Sequence, residues 1–425
     1  METPAKTYAL CDVNSFYVSC ERMFRPDLAT KPVIVLSNND GCIISISDEA
    51  KALGIKMAVP YHEAKHIIEK HQITTFSSNY GLYGDISSRF NHVLRQYCDQ
   101  VAPYSVDESF LCFEGFQGCL LEHSAKIKHE LQRTLSLPVC IGLAPTKTLA
   151  KIANHYAKKH KDSTSGIIDL SCEQQRQWVL KQTPVRKIWG IGSRLAVKLV
   201  HQGIHSAWEL HNADFKVLQR MFSVNMERMV LELRGESCLT FNQLPAAKKS
   251  ILNSRSFGKP ITSYYDLKEA LCYHATRCSE KLRAQNSMAS TITLFLYAKK
   301  SHQSRSYNHH PQITVRFPEA TDDTGLFVQA VEKGLRKLFK QDYKYKKAGV
   351  MLNGLSEKTG HQPDLFVGLP KRPELMQSLD KINQRYGKDT AKFASLGFHK
   401  NWAMRANSFS AHYTSRWQDI LKISH

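Results

Sequence analysis

Residues 9–21 read ALCDVNSFYVSCE. Within them the apolar run that spans residues 7–13 has the length and character of a short buried strand, and Asp12 sits at its end. A second acidic pair, Asp107-Glu108, opens another apolar stretch, residues 106–113. Carboxylates at the ends of buried strands are costly unless something positive meets them. Two or three converging Asp and Glu side chains suit the hard Mg²⁺ ion. A pair of such ions can activate a 3′-hydroxyl and steady a leaving pyrophosphate. Neighbouring side chains on a regular strand point to opposite faces, so Asp107 and Glu108 can both serve only if the strand bends or is just beginning there. Pro103 and Ser105 allow that. A solvated Asp-Glu turn is the alternative. Phe16 and Tyr17, a few residues past Asp12, are either a floor under a nucleotide sugar or the first turn of a core helix.

Outward from this stretch, residues 32–36 (PVIVL) and 139–143 also read as strands, and residues 125–135 as an amphipathic helix. A helical stretch begins near Leu82 and runs to Tyr97, residues 49–53 form a short helix, and residues 104–113 are strand-like. The mixture lacks a clean βαβ rhythm, which predicts an α+β fold with a largely antiparallel sheet. Residues 171–235 are helical. Residues 244–249 read as a linker. A second α+β unit follows, with strands at 290–296, 312–317 and 347–352 and a long helix at 326–339. Beyond Asn353 the chain is polar, with one good helix over 373–386 whose apolar positions are Leu375, Leu379 and Ile382.

The 425 residues carry 58 Lys and Arg against 38 Asp and Glu, a net charge of +20. The charge is not uniform. Residues 1–80 hold eight basic and nine acidic side chains, whereas residues 248–355 hold nineteen and eight. A basic module of this kind points to a polyanion, most economically nucleic acid, with a solvated lysine surface as the plainer alternative. No apolar run approaches a membrane span. The start of the chain lacks a signal-peptide core, and the eleven scattered cysteines include no C-x-x-C pair. Reduced thiols in a cytoplasmic protein are expected.

Two further segments carry chemistry. Thr146 can cap a helix that puts Lys147, Lys151 and Lys158 on one face, with Leu149, Ile152 and Tyr156 on the other. That face can meet a triphosphate or a DNA backbone, or simply water. Residues 185–199 (VRKIWGIGSRLAVKL) have the form of a helix-hairpin-helix. Gly190 and Gly192 free backbone N–H groups that can hold a phosphate oxygen, with Arg194 and Lys198 nearby. An ordinary tight turn is the alternative.

Seven segments in one order, ALCDVNSFYVSCE, SNNDGCIISISDEAKALGIKM, FSSNYGLYGDISSR, YSVDESF, APTKTLAKIANHYAKK, WGIG and SRSFG, resemble the Y-family translesion DNA polymerases. Within that family they look most like the UmuC branch, and the likeness runs from about residue 7 into the tail. It implies a right-hand polymerase, α+β and multidomain. The palm would take residues 1–20 and 80–170, small fingers 21–79, and a helical thumb with the helix-hairpin-helix 171–240. A DNA-binding little finger would take 250–352 and a C-terminal tail 353–425. It implies Asp12, Asp107 and Glu108 as catalytic carboxylates, holding two Mg²⁺ ions together with the Val13 carbonyl. It puts Phe16 and Tyr17 at the steric gate, with Tyr17 against the sugar, and Lys51 and Lys158 at the incoming triphosphate. Asp48 departs from the pattern, since many relatives have a Tyr there and a carboxylate would repel phosphate. Asn14, where some relatives are acidic, agrees with the UmuC branch.

The expected activity is Mg²⁺-dependent, error-prone synthesis past DNA lesions in the SOS response, using primer-template DNA and deoxynucleoside triphosphates. Gly190, Gly192, Lys198, Lys299, Lys300, Arg305 and Arg316 would hold DNA. Gln362, Leu365 and Phe366 form a QxxLF peptide like those that bind the bacterial sliding clamp. A processed UmuD-type subunit and RecA are the further partners that the resemblance implies. Two other classes compete. One is a non-catalytic DNA-binding scaffold that recruits the clamp and a UmuD-type partner, which would have no need of the acidic set. The other is a helix-hairpin-helix glycosylase or nuclease, which needs a catalytic Asp or Lys after the hairpin; residues 200–207 offer none.

Overall fold

A computed structural model describes residues 6–241, 247–300, 308–359, 372–397 and 402–421. The chain forms two compact units. One comprises residues up to 37, 41–245 and 408 onward; the other comprises 38–40 and 246–407.

The first unit is built around β1 (Lys6–Val13), whose last six residues are buried. A strand covered on both faces reads as an unbroken apolar run. The other strands are β2 (Val33–Leu36), β3 (Ile43–Ile46), β4 (Thr74–Ser77), β5 (Gln100–Pro103), β6 (Glu108–Glu114), β7 (Val139–Ala144) and β8 (Ile167–Asp169). The central sheet has the order β5-β6-β1-β7-β8 and is antiparallel except for β7–β8; a small sheet has the order β3-β2-β4. The helices are α1 (Phe16–Met23), α2 (Asp48–Ala52), α3 (Tyr61–Lys70), α4 (Tyr80–Tyr97), α5 (Leu120–Leu135), α6 (Lys147–Lys159), α7 (Lys161–Thr164), α8 (Glu173–Gln182), α9 (Ser193–His201), α10 (Ala207–Asn212), α11 (Phe215–Met221) and α12 (Val224–Arg234). The single strand expected over 104–113 is instead a hairpin. Tyr104 and Ser105 donate their N–H groups to the Glu108 carbonyl (2.9 and 3.1 Å), so β6 begins only at Glu108.

Helix α6 lies against β7 and β1, and three features hold it there. A Cβ on Gly142 would stand 2.2 Å from the Asn154 backbone nitrogen and 2.6 Å from the Ala150 carbonyl oxygen, so only glycine permits the approach. Buried Asn154 donates to the Leu10 and Cys140 carbonyls (3.2 and 2.7 Å), binding the helix to both strands. At its N-terminus Thr146 caps the Leu149 N–H, and buried Glu232 of α12 accepts from the Thr148 N–H (3.1 Å). A carboxylate also suits the positive end of the helix.

The second unit contains β9 (Ile251–Ile261), α13 (Tyr264–Ala284), β10 (Ser287–Lys300), β11 (Asn308–His309), β12 (Gln312–Thr321), α14 (Thr324–Leu338), β13 (Tyr343–Glu357) and α15 (Pro373–Tyr386). Its sheet has the order β11-β10-β13-β9, with β12 also on β10, and α13 and α14 pack into its core. Strand β13 runs past Asn353, where a polar tail was expected to begin. Helix α15 buries Met376 and leaves Leu375 and Ile382 exposed, against the expected apolar side. An ion pair seats it, Asp380 to Arg283 at 2.7 Å, rather than a leucine seam.

Residues 408–421 belong to the first unit, so the expected tail 353–425 is divided between the two. Ser77 and Ser408 exchange hydrogen bonds (2.8 and 3.1 Å), and the Tyr413 ring stacks on Phe24 with centroids 4.6 Å apart. Ser410 donates to Oε1 of Glu21, a residue with no exposed surface, at 3.1 Å, and Tyr83 donates to the same oxygen at 2.6 Å. Burial pushes the Glu21 carboxyl up from its ordinary 4.5 to about 7, while the two hydroxyls pull it back. Between those values the folded chain keeps a proton that the unfolded chain has released, so stability falls as pH rises through this window. The Glu21→Gln variant escapes that loss. It should gain about 3 kcal/mol on the parent between pH 4.5 and pH 8. Urea unfolding of both proteins at pH 5 and pH 8 checks this; an equal difference at the two pH values would contradict it.

Candidate active site

The β1–β6 register sets Asp12 directly opposite Glu108. One step further on, the Val13 N–H donates to the Asp107 carbonyl at 2.9 Å, so the ladder continues into the hairpin turn that carries Asp107. Three acidic residues thus lie at one end of the central strand. Asp107 is fixed by the Ser105 hydroxyl (2.5 Å), which also accepts from the Asp107 and Glu108 N–H groups. Asp12 is 6% exposed. Its burial pushes the carboxyl up to about 7, with Glu108 and Asp107 adding to the rise and Lys158 opposing it.

Helix α6 delivers the positive charge. Lys158 forms an ion pair with Asp12, and Lys151 reaches both oxygens of Glu108 (3.0 and 3.1 Å). Lys151 also lies 4.2 Å from the centre of the Tyr104 ring, and the Trp189 indole N–H donates to the Tyr104 hydroxyl at 3.0 Å. An aromatic cover therefore stands over the Glu108–Lys151 pair. Lys147 takes another path. It is buried, donates to the Thr240 carbonyl (2.7 Å), and has its pKa lowered chiefly by that burial.

The donors are oxygens gathered at one buried strand end whose charge is already costly, which fits a hard divalent cation. In the present side-chain arrangement, no cluster of three or more His, Cys, Asp or Glu among the described residues is close enough to hold a metal ion.

Ser15, with a left-handed φ of 46°, turns the chain from β1 into α1, and its hydroxyl is held by the Ile46 carbonyl (2.7 Å). The turn sends the two neighbouring aromatics to different places. Phe16 is 4% exposed in the core, so it does not present itself to a substrate as expected. Tyr17 is half-buried, and its pKa is raised chiefly by desolvation, with Tyr80 and then Asp107 adding to it. Its ring stacks on Tyr83 at 4.5 Å.

Asp48 is answered by two cations, Lys51 at 2.7 Å and Lys161 at 3.0 Å. Its carboxyl is held down at about 2, first by the Lys51 hydrogen bond. With its two lysines it forms a net positive cluster rather than a bare carboxylate. Lys161 and Tyr83 beside these residues had no mark in the sequence, Asp48 stood as a departure, and Lys151 stood on the lysine face without its Glu108 partner. The i, i+4, i+11 lysine spacing held the only signal, for Lys151.

Gly190 has φ +90° and its Cβ would meet the Met229 methyl at 2.9 Å, whereas Gly192, the N-cap of α9, has open space beside it. Lys198 lies on the same pocket wall as Gly190. In the second unit, Ile292, Leu294, Leu296 and Ala298 of β10 are buried, and the alternate face carries Thr291, Phe295, Tyr297 and Lys299, with Thr293 on it also buried. Arg316 pairs with Thr291 and shares that face. Lys347, opposite Tyr297, lies 5.4 Å from its ring centre, and His310 packs on the same ring at 4.3 Å. A groove of about 620 Å³ is lined by Tyr297, Lys299, His310, Lys346 and Lys347 among others. Arg305, the Lys300 side chain, and Gln362, Leu365 and Phe366 lie outside the described residues. All eleven cysteines are free, and no helix among the described residues is long and apolar enough to cross a membrane.

Residues 11–155 match the profile described as the impB/mucB/samB family, residues 248–365 its C-terminal domain, and residues 373–423 a domain of unknown function. Protein UmuC of Salmonella typhimurium is 39% identical over 422 residues, 98% of this chain and 100% of the relative. DNA polymerase IV 1 of Bacillus subtilis is 29% identical over 392 residues, 88% of this chain and 89% of the relative. Among solved structures, a Y-family DNA polymerase chimera of Dbh and Dpo4 superposes with a TM-score of 0.65 at 19% identity, covering 83% of this chain and 99% of its own. An insertion ternary complex of Dbh DNA polymerase gives 0.52, covering 82% and 98%. Likeness of this extent, over a fold shared with those polymerases, means that the chain belongs to the impB/mucB/samB family and is a UmuC-like member of the Y-family polymerases.

Proposed function

We propose that this chain extends primers past damaged template bases as an error-prone translesion DNA polymerase of the SOS response. It is a DNA-directed DNA polymerase. The observation that carries the assignment is the register of Asp12 against Glu108, continued by the Val13–Asp107 hydrogen bond, which gathers three carboxylates at one strand end. A scaffold that merely recruits other proteins to DNA has no use for such a cluster.

Asp12, Asp107 and Glu108, with the Val13 carbonyl, are the residues that would hold two Mg²⁺ ions. When bound, the ions would supply the charge that activates a primer 3′-hydroxyl and steadies departing pyrophosphate. Lys158 and Lys51 would meet the triphosphate. Lys158 is paired with Asp12, and Asp48 holds both Lys51 and Lys161. Tyr17 would lie against the sugar, where a packed ring leaves no room for a 2′-hydroxyl.

In this reading residues 1–20 and 80–170 are the palm, 21–79 the fingers, 171–240 the thumb and 250–352 the little finger. Fingers of this small size enclose the templating base loosely, which admits damaged bases. The outward sheet face with Lys299, Arg316, Lys347 and Tyr297 would grip duplex backbone, and Gly190, Gly192 and Lys198 a further phosphate. Gln362, Leu365 and Phe366 would engage the sliding clamp, and a processed UmuD-type subunit and RecA would complete the assembly in the cytoplasm.

Asp107→Asn and Glu108→Gln should each slow single-turnover incorporation about a thousandfold, equivalent to ~4 kcal/mol of lost transition-state stabilisation, while primer-template affinity stays near the parental value. Near-normal incorporation in both variants would sink the assignment. Replacing Lys299, Arg316 and Lys347 by Gln should weaken every duplex alike and flatten the salt dependence of binding by about one unit per lost phosphate contact. An unchanged slope would place DNA on another surface.

A further inference from the structure

The tail segment that returns to the first unit is joined by three contacts to the tyrosine assigned to the sugar. Ser410 is buried and bonds in two directions. Its hydroxyl accepts from Asn79 Nδ2 at 3.0 Å and donates to Glu21 Oε1 at 3.1 Å. Asn79 is the N-cap of α4, with its side-chain oxygen accepting from the Leu82 N–H (3.2 Å). The Tyr83 hydroxyl, one turn into the same helix, donates to the same Glu21 oxygen at 2.6 Å. The Tyr83 ring then stacks on Tyr17, with centroids 4.5 Å apart and planes 19° from parallel. Ser410, Glu21, Tyr83 and Tyr17 thus form one connected series, buried up to its last ring.

A ring can exclude a hydroxyl only if it does not yield when pressed. Tyr17 is half-buried, so its resistance depends on the rings packed against it: Phe16 and Tyr80 meet it at an angle, and Tyr83 alone of the three is stacked on it. Tyr83 is in turn fixed at its far end by a carboxylate whose other oxygen, Oε2, has no hydrogen-bond partner among the described residues. Glu21 is therefore held by two hydroxyls on one oxygen. Removing one of them leaves a buried carboxyl free to rotate toward its unmet oxygen and to draw the Tyr83 hydroxyl with it.

We propose that Ser410 is a positioning residue for sugar selection: acting through Glu21 and Tyr83, the C-terminal segment holds the Tyr17 ring in place and so sets the discrimination between ribonucleotides and deoxyribonucleotides. The proposal rests on Tyr17 being the sugar gate. It gives a task to part of residues 373–423, which match a domain of unknown function.

The test uses the full chain on a primed template. It measures kcat and KM for a deoxynucleotide and the ribonucleotide of the same base, with a melting curve on each preparation. In Ser410→Ala the ratio of ribonucleotide to deoxynucleotide kcat/KM should rise about threefold, the worth of one buried hydrogen bond, with deoxynucleotide kcat and Tm kept. Tyr83→Phe, which retains the stacked ring and loses only the hydroxyl, should give a similar rise. The double variant should give no more than either alone, since both cut one path. Glu21→Gln, whose amide oxygen still accepts from both hydroxyls, should keep the parental ratio. Tyr17→Ala should raise the ratio most. If Tyr17→Ala raises it while Ser410→Ala and Tyr83→Phe leave it unchanged, the tail plays no part and the gate assignment survives. If Tyr17→Ala leaves it unchanged, the gate assignment fails and the proposal with it. A loss of stability that lowers both sugars equally would reduce the contact to a structural clasp and overturn the proposal.

Discussion

The seating of helix α6 on strands β1 and β7 governs the chemistry of the first unit, because it decides where two lysines end. Gly142 lets the helix backbone come within contact of the sheet, and Asn154 locks it to carbonyls of both strands. A helix held half a turn differently would carry Lys151 and Lys158 away from β1. The contact is polar as well as steric, and buried polar contacts of this kind specify one arrangement because a misregistered alternative leaves their donors unmet. Glu232 does the same for the N-terminal end of the helix, meeting one of the N–H groups that every helix leaves open there.

The electrostatics follow from that seating. Burial of Asp12 raises its carboxyl to about 7, and the neighbouring Glu108 and Asp107 add to that rise while Lys158 opposes it. Lys158 and Lys151 from α6 pair with two of the three carboxylates, Asp12 and Glu108. Asp48 between Lys51 and Lys161 repeats the device.

What could be read ahead of the structure was whatever a single strand or helix announces by itself. The apolar run ending at Asp12, the Thr146 cap and the lysine face of α6, and the helix over 373–386 all have local signals. Strand β9 and helix α13 were missed because their patterns are blurred. In β9 only Ile251, Phe257 and Ile261 are buried, and α13 buries His274, Thr276, Arg277 and Ser279 among its apolar residues. The strand expected over 104–113 failed because a four-residue hairpin turn hides inside an otherwise strand-like run. Within the site, Asp12, Asp107, Glu108 and Tyr17 were marked by type and position. The pairing of Lys151 with Glu108, the burial of Lys147 and Phe16, and the role of Tyr83 depend on partners far away in sequence, for which no local pattern exists. Ser410 is the extreme case, since it meets Glu21 across 389 positions.

If the carboxylate end of β1 is a nucleotidyl-transfer centre and not an ornament of a DNA-binding protein, chain growth and pyrophosphate release are one reaction. The most direct measurement follows primer length and pyrophosphate release together, for the unaltered chain with its accessory proteins, Mg²⁺ and a template offering each base in turn. The account predicts one pyrophosphate for each nucleotide added, with addition dependent on the template, and addition opposite a damaged base under the same conditions. Tight primer-template binding with neither extension nor pyrophosphate would contradict it.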